Sequence, residues 1–235
     1  MQLLYEGKAK KLFDSPESGM VVIQFKDSVT AGNAAKRAEI SGKGALASAI
    51  SIKLLELVSR SGVSTHFVRK LDATSFLARQ VQIIPLEVVV RNWAAGSIVK
   101  RLGLKRGRVF EPALVEFFLK SDALGDPLLA EAHIRALGLA TADEVERIKE
   151  LALKANTVLK GYFDSLGLRL IDMKFEFGRA RHQPNTILLA DEISPDTMRL
   201  WDARTGESLD KDVFREDKGD LLTAYRAVAQ RMGLL

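Results

Sequence analysis

The sequence predicts an α+β fold in two lobes, a small antiparallel sheet lobe at the N-terminus followed by a larger mixed α/β lobe. Three observations carry that expectation. Short β-prone runs separated by turn residues dominate the first third, two long stretches of helical period stand well apart, and the character of the chain changes after Pro85. With 235 residues, 47% of them hydrophobic, the chain can bury a substantial core.

Leu3-Leu4-Tyr5, residues 10–13 and residues 20–26 read as strands, with Asp14-Ser15-Pro16 and Ser18-Gly19 turning the chain between the last two. Residues 27–42 contain Gly, Ala and Asn without a clear period, so a mobile loop is expected there. Leu46, Ile50, Leu54 and Leu57 recur at helical spacing within residues 44–59, and Gly62 is a plausible stop. Residues 65–70 and 75–81 look like returning strands, and the lobe boundary is placed within residues 79–85, giving lobes of residues 1–82 and 83–235. Beyond it come a strand over residues 87–93, a short helix over 98–102 and a strand over 115–119. Thr141 and Glu144 form a capping box, in which each side chain satisfies the other's orphan amide, opening a helix that runs toward Leu166-Gly167. Its apolar stripe is Val145, Ile148, Ala152, Ala155 and Leu159. A strand over residues 168–177 then pairs with one over 186–190, and a last helix is expected over 217–232.

The net charge of +5 suits anionic partners, nucleotides and nucleic acids alike. Lys8, Lys10 and Lys11 form one basic cluster, and Lys100, Arg101, Lys105, Arg106 and Arg108 form another. Aromatics are not interleaved with either cluster as base-stacking platforms would require, which places a nucleic-acid binder behind an enzyme and leads to the expectation of no nucleic-acid partner. No apolar run approaches the roughly 20 residues that span a bilayer, and the chain opens on Leu3-Leu4-Tyr5 rather than a leader, so a cytoplasmic location without membrane contact is expected. The absence of cysteine excludes disulfides, thiolate metal sites and cysteine nucleophiles. His66, His133 and His182 show no metal-ligand spacing and are expected to be incidental.

Two segments concentrate chemistry. In residues 83–97, Val88, Val89 and Val90 favour a strand that ends at Arg91, Asn92 and Ala94-Ala95-Gly96-Ser97. Gly96 lets backbone approach a ligand, Ser97 offers a hydroxyl and a possible helix N-cap, and the planar fork of Arg91 matches phosphate oxygens. In residues 170–178, strand period puts Ile171, Met173, Phe175 and Phe177 on one face and Asp172, Lys174 and Glu176 on the other. Taken alone, the pattern also fits a surface arginine at a strand end and a solvated face of salt-bridged charges. Glu176 and Asp191 are a pair of hard oxygen donors suited to magnesium, and Leu188-Leu189-Ala190 reads as a buried strand delivering Asp191 to the site. Surface carboxylates are the competing reading.

Together these segments resemble the two signature motifs of the phosphoribosylaminoimidazole-succinocarboxamide synthase (SAICAR synthetase) family. The resemblance continues in Tyr5-Glu6-Gly7-Lys8-Ala9-Lys10, in Phe118-Leu119-Lys120-Ser121-Asp122, in Asp126-Pro127, and in Asp191-Glu192-Ile193-Ser194-Pro195-Asp196 with Arg199-Leu200-Trp201, spanning almost the whole chain in order. It implies a kinase-like or ATP-grasp-like two-lobe fold and an ATP-dependent ligase of purine biosynthesis. Such a ligase joins L-aspartate to the carboxylate of carboxyaminoimidazole ribotide, with ATP and Mg2+ and through an acyl phosphate. By resemblance, Gly7, Lys8, Ala9, Lys10, Gln80, Val81 and Lys120 meet ATP, and Arg91, Ser97 and Arg199 bind the ribotide phosphate. Lys174, Glu176 and Asp191 are the catalytic candidates, the two carboxylates also holding the metal. A homodimer is the family expectation. Residues 27–42 are expected to close over aspartate, whereas Asp126-Pro127 also reads as an ordinary helix start. A protein kinase of similar shape is disfavoured because HRD and DFG segments are missing.

Overall fold

Short turns between β-prone runs make neighbouring strands pair antiparallel, as they do in the hairpins of the first sheet. The structure, a computed structural model, describes residues 1–31 and 36–235. Strands β1 (Leu3–Glu6), β2 (Lys10–Asp14), β3 (Met20–Phe25), β6 (Phe67–Lys70) and β7 (Ser75–Arg79) form a five-stranded sheet in the order β1-β2-β3-β7-β6. Its inner face, carrying Val21, Ile23, Phe25 and Phe76, packs on helix α1 (Lys43–Arg60).

The second sheet contains β8 (Val81–Trp93), β9 (Val109–Leu119), β10 (Leu128–Leu129), β11 (Leu168–Ala180) and β12 (Gln183–Ala190) in the order β10-β9-β8-β11-β12, with β13 (Met198–Asp202) beside the first half of β11. All these pairings are antiparallel. Register decides function here. Arg91, Val89 and Glu87 of β8 stand opposite Asp172, Lys174 and Glu176 of β11, Arg199 of β13 also stands opposite Asp172, and Ala190 of β12 stands opposite Glu176. Directly opposed residues share a face, so one side of the sheet gathers these charges and the other gathers Val88, Val90, Met173 and Phe175.

Helix α4 (Ala142–Ser165) covers that apolar side. Its Thr141 cap accepts from the Glu144 amide at 3.2 Å, the Glu144 carboxylate returns to Thr141 N at 2.8 Å, and Val145, Ile148, Ala152, Ala155, Leu159 and Phe163 are buried. Asn92, pointing to the same side, exchanges amide hydrogen bonds of 2.9 Å with Asn156. Helices α2 (Ser97–Leu102), α3 (Glu131–Ala136), α5 (Asp212–Arg215) and α6 (Leu221–Arg231) complete the chain. One hydrophobic core runs from Val21 and Phe76 through Val88 and Phe175, so the two sheets share an interior.

Several expectations are corrected. Residues 27–42 contain a β-ribbon, β4 (Ser28–Ala31) paired with β5 (Lys36–Glu39), while residues 32–35 lie outside the described residues. The ribbon is held by tertiary contacts that local periodicity does not report. Val29 packs with Val213, Leu221 and Tyr225, and the Asp27 carboxylate accepts from the amides of Gly42 at 3.1 Å and Gly44 at 2.8 Å, at the start of α1. The last helix starts at Leu221, with Asp220 as its cap, because Asp217 and Gly219 have positive φ of 52° and 152°. Val81 belongs to β8 and the second sheet rather than to the strand before it. The Asp126-Pro127 pair does not start a helix: Asp126, at φ 49°, accepts the Ser121 amide and leads into β10. Ser97 is the first residue of α2 and makes no side-chain cap, Gly96 standing at the cap position.

Candidate functional site

A cleft of about 780 Å³ opens between the β1–β2 hairpin of the first sheet and the charged face of the second. Gly7, Lys8, Ala9 and Lys10 line one side, Arg79, Gln80, Val81 and Ile83 the back, and β8, β11 and β13 the floor. The Gly7 amide donates to the Lys10 carbonyl at 2.9 Å and closes the hairpin. At the rim Lys8 pairs with Asp122 at 2.6 Å. The pairing of β8 with β9 begins only at Leu86, so from Val81 to Pro85 the edge of β8 opposite β11 has no partner strand. Gln80 is fixed by its amide to the Gly19 carbonyl at 2.8 Å and by its side chain to Arg181 at 2.6 Å.

Alternating charges fill the centre. Lys174 Nζ lies 2.8 Å from both Glu87 Oε1 and Glu176 Oε1, Lys120 takes the second oxygen of Glu176, and Lys10 Nζ lies 2.5 Å from Asp191 Oδ1 and 2.6 Å from Glu192 Oε1. Burial works against charge on Lys174, but Glu176, Asp191 and Glu87 outweigh it and hold the ammonium well above the usual lysine range. Burial likewise opposes ionisation of Asp191, and Lys10 and Lys174 overcome it, holding that carboxyl well below the usual range. Asp191 sits in the left-handed region at φ 60°, a conformation that most side chains avoid. His66 Nε2 donates to the Asp191 carbonyl at 2.9 Å, and burial pushes its imidazole down to about 4, leaving it neutral near pH 7. His66 is therefore part of the site rather than incidental.

Beside this cluster, Asp172 accepts from Arg91 Nη1 at 2.7 Å and from Arg199 Nη1 at 2.9 Å, with both Arg91 and Asp172 only 3% exposed. These are neither surface arginine nor solvated strand face. Arg91 Nη2 points to Ser97 Oγ at 3.5 Å, and a Cβ at Gly96 would lie 2.7 Å from the Arg199 Cζ, so a side chain there would displace that guanidinium. Deeper in the cleft Asp196 is enclosed by buried Lys43, by Lys211 at 3.4 Å and by the Tyr225 hydroxyl, which donates at 3.1 Å. Burial lowers the Lys211 ammonium despite the pull of Asp196.

Every expected side chain of the central cluster thus meets its fellows, and Arg91, Ser97 and Arg199 converge. Strand period already sets Asp172 on the charged face, and Glu192 and Asp196 belong to the segment that carries the resemblance, but none of the three has a role before the fold is known. Glu87, Lys43 and Lys211 carry no such mark: Glu87 joins through the register of β8 with β11, and the two lysines arrive from distant elements. Among the described residues no group of three or more His, Asp or Glu side chains is arranged to hold a metal by protein ligands alone. Glu176 and Asp191 are hard oxygen donors of the type of which a magnesium ion takes one or two beside waters and phosphate oxygens, and both here face lysine ammoniums.

The SAICAR synthetase family model matches residues 3–232. The phosphoribosylaminoimidazole-succinocarboxamide synthase of Anoxybacillus flavithermus is 52% identical over 231 residues, covering 98% of this chain and 95% of that protein. A crystal structure of the synthase of that name from Ehrlichia chaffeensis superposes with a TM-score of 0.97 at 41% identity, covering 100% of this chain and 99% of that one. A SAICAR synthetase in complex with ADP superposes with a TM-score of 0.93 at 44% identity, covering 97% of this chain and 96% of that one.

Proposed function

The chain belongs to the SAICAR synthetase family, ATP-dependent ligases of purine biosynthesis, and from that premise we propose how its own residues divide the work. The reaction joins L-aspartate to the carboxylate of 5-amino-1-(5-phosphoribosyl)imidazole-4-carboxylate, giving SAICAR, ADP and phosphate. One observation carries the division of roles: a single cleft holds a lysine–carboxylate cluster beside an arginine pair that turns toward Gly96 and Ser97.

Nucleotide enters between the β1–β2 hairpin and β8. The unpartnered edge of β8 from Val81 to Ile84 offers backbone groups to adenine, with Gln80 holding the link in place, while Gly7, Lys8, Ala9, Lys10 and Lys120 surround the phosphates. Residues 1–82 thereby act as the nucleotide lobe and residues 83–235 as the lobe that holds ribotide and metal, with Lys120, paired to Glu176, bordering the same cleft from the second lobe. Arg91, Arg199 and Ser97 bind the ribotide phosphate, which directs its carboxylate toward Lys174. Glu176 and Asp191 would hold Mg2+, which when bound neutralises the nucleotide phosphates.

The ribotide carboxylate oxygen attacks the γ-phosphorus, the bond to the bridging oxygen breaks and ADP departs, leaving an acyl phosphate. The aspartate amine then attacks the acyl carbon, phosphate leaves with the electron pair, and the amine gives up a proton. Lys174, kept protonated by three carboxylates, stabilises charge on the transferring group and does not serve as base. Lys10, raised by Asp191 and Glu192 against the cost of its burial, has the same role at the nucleotide. The β4–β5 ribbon stands at the margin of the cleft, where Thr30 reaches it, and closes over aspartate to exclude water from the acyl phosphate. A cytoplasmic homodimer is the proposed working form.

Purified protein mixed with MgATP and ribotide, with and without L-aspartate, tests the reading. Equal amounts of ADP and SAICAR are expected when all three are present; ADP release that instead requires a hydroxyl acceptor refutes it. Sedimentation equilibrium tests the dimer.

A further inference from the structure

Resting on the reading that Arg91 and Arg199 bind the ribotide phosphate, we infer that Glu116 and Asp212 are positioning residues that aim these two guanidiniums as one fork. The two arginines are held in the same manner. Nε of Arg91 donates to Glu116 Oε2 at 2.7 Å, and Nε of Arg199 donates to Asp212 Oδ2 at 2.7 Å. Nη1 of both donates to Asp172. With Nε and Nη1 engaged, each planar group is fixed in rotation and only Nη2 remains to be directed. Arg91 Nη2 reaches toward Ser97 Oγ at 3.5 Å, a long contact, and Arg199 Nη2 has no hydrogen-bond acceptor among the described residues and lies over Gly96. Two donors with unspent capacity therefore face the same Gly96-Ser97 turn.

The charges extend outward in alternation. The second oxygen of Glu116 pairs with Arg101, and Asp212 Oδ1 lies 2.5 Å from Arg215. Glu116 and Asp212 would otherwise leave three carboxylates against two guanidiniums, a net negative site facing a phosphate dianion. Arg101 and Arg215 reverse that balance, so the series Arg101, Glu116, Arg91, Asp172, Arg199, Asp212, Arg215 carries one surplus positive charge. A series of this kind orients a phosphate site without cancelling its attraction.

Positioning is separable from bulk charge by substitutions that keep the charge and change its reach. Glu116→Asp withdraws the carboxylate by one methylene and Asp212→Glu advances it by one. Each is expected to raise the KM for ribotide, and the inhibition constant of ribose 5-phosphate, by about tenfold, with kcat and the KM for ATP within about twofold, because a misaimed fork loses charge-assisted hydrogen bonds to phosphate alone. Glu116→Gln separates the alternatives further, since removing a negative charge tightens ribotide binding if Glu116 is only a counter-charge. The inference is overturned if Glu116→Asp and Asp212→Glu leave ribotide KM unchanged, or if Glu116→Gln lowers it. Arg91→Lys and Arg199→Lys, measured alongside, report on the underlying reading: an unchanged ribotide KM in both means the phosphate lies elsewhere. Glu116 and Asp212 lie on opposite sides of Asp172 and on different elements, so a fold-defective variant at one of them leaves the other to decide.

Discussion

Replacing Lys43 by methionine is the sharpest test of the buried charge beneath the cleft. Lys43 is fully buried, pairs with Asp196 and donates to the Ser28 carbonyl at 3.1 Å, thereby tying α1 to both the β4–β5 ribbon and the segment after β12. Burial would raise the Asp196 carboxyl, but Lys211 and Lys43 outweigh it and bring it down to about 2 from an ordinary 3.8. At about 1.4 kcal/mol per tenfold change in proton affinity, that depression corresponds to about 2–3 kcal/mol of stability near neutral pH. Breaking a buried pair from one side costs about 3–5 kcal/mol, and Lys211, at 3.4 Å, keeps this case at the low end. A loss of about 3 kcal/mol is therefore expected at pH 7, or about 10 °C in Tm for a chain of this length. The pH dependence has a definite sign. A carboxyl depressed by folding stabilises above its unfolded value and loses that contribution as pH falls through the folded one, so the gap between parent and variant narrows from pH 4 toward pH 2. Urea denaturation at several pH values measures both quantities. A gap below about 1 kcal/mol at pH 7, or one that stays constant down to the acid limit, refutes the assignment.

Three further outcomes follow from the geometry. Gly96→Ala, which places a Cβ against the Arg199 guanidinium at a φ of 62°, is expected to raise ribotide KM about 30-fold or more while ATP affinity measured by calorimetry stays unchanged. Lys174→Met is expected to lower kcat by about 10²–10³-fold with a small change in ATP KM; single-turnover quench-flow then shows slowed phosphoryl transfer rather than slowed product release. Burial, reinforced by repulsion from Asp212, pushes Asp210 up to about 7, so the folded chain keeps a proton that the unfolded chain sheds near 3.8, and stability from this group declines as pH rises between those values. Relative to Asp210→Asn, the parent is expected to lose about 2 kcal/mol between pH 5.5 and 8 in denaturant titrations.

Local periodicity was sufficient for much of this molecule. Alternation alone placed Asp172, Lys174 and Glu176 on one face of β11, and the Thr141–Glu144 pair marked the start of α4, because strand pleat and helix capping are set by residues a few positions apart. The same logic failed for the β4–β5 ribbon, whose partners Tyr225 and Val213 lie far along the chain, and for Asp27, which serves an α1 start fifteen residues away. His66 and Lys43 carry no local mark of function; one meets the Asp191 carbonyl and the other Asp196 only after α1, β6 and β12 have packed. Arg199 could be matched by resemblance, but its pairing with Asp172 depends on the β11–β13 register, a choice made by the whole sheet. Sequence by itself thus determined which side chains share an element's face, through short-range geometry. Tertiary structure alone decided which faces meet, because cross-strand register and buried ion pairs are settled by contacts between residues remote along the chain.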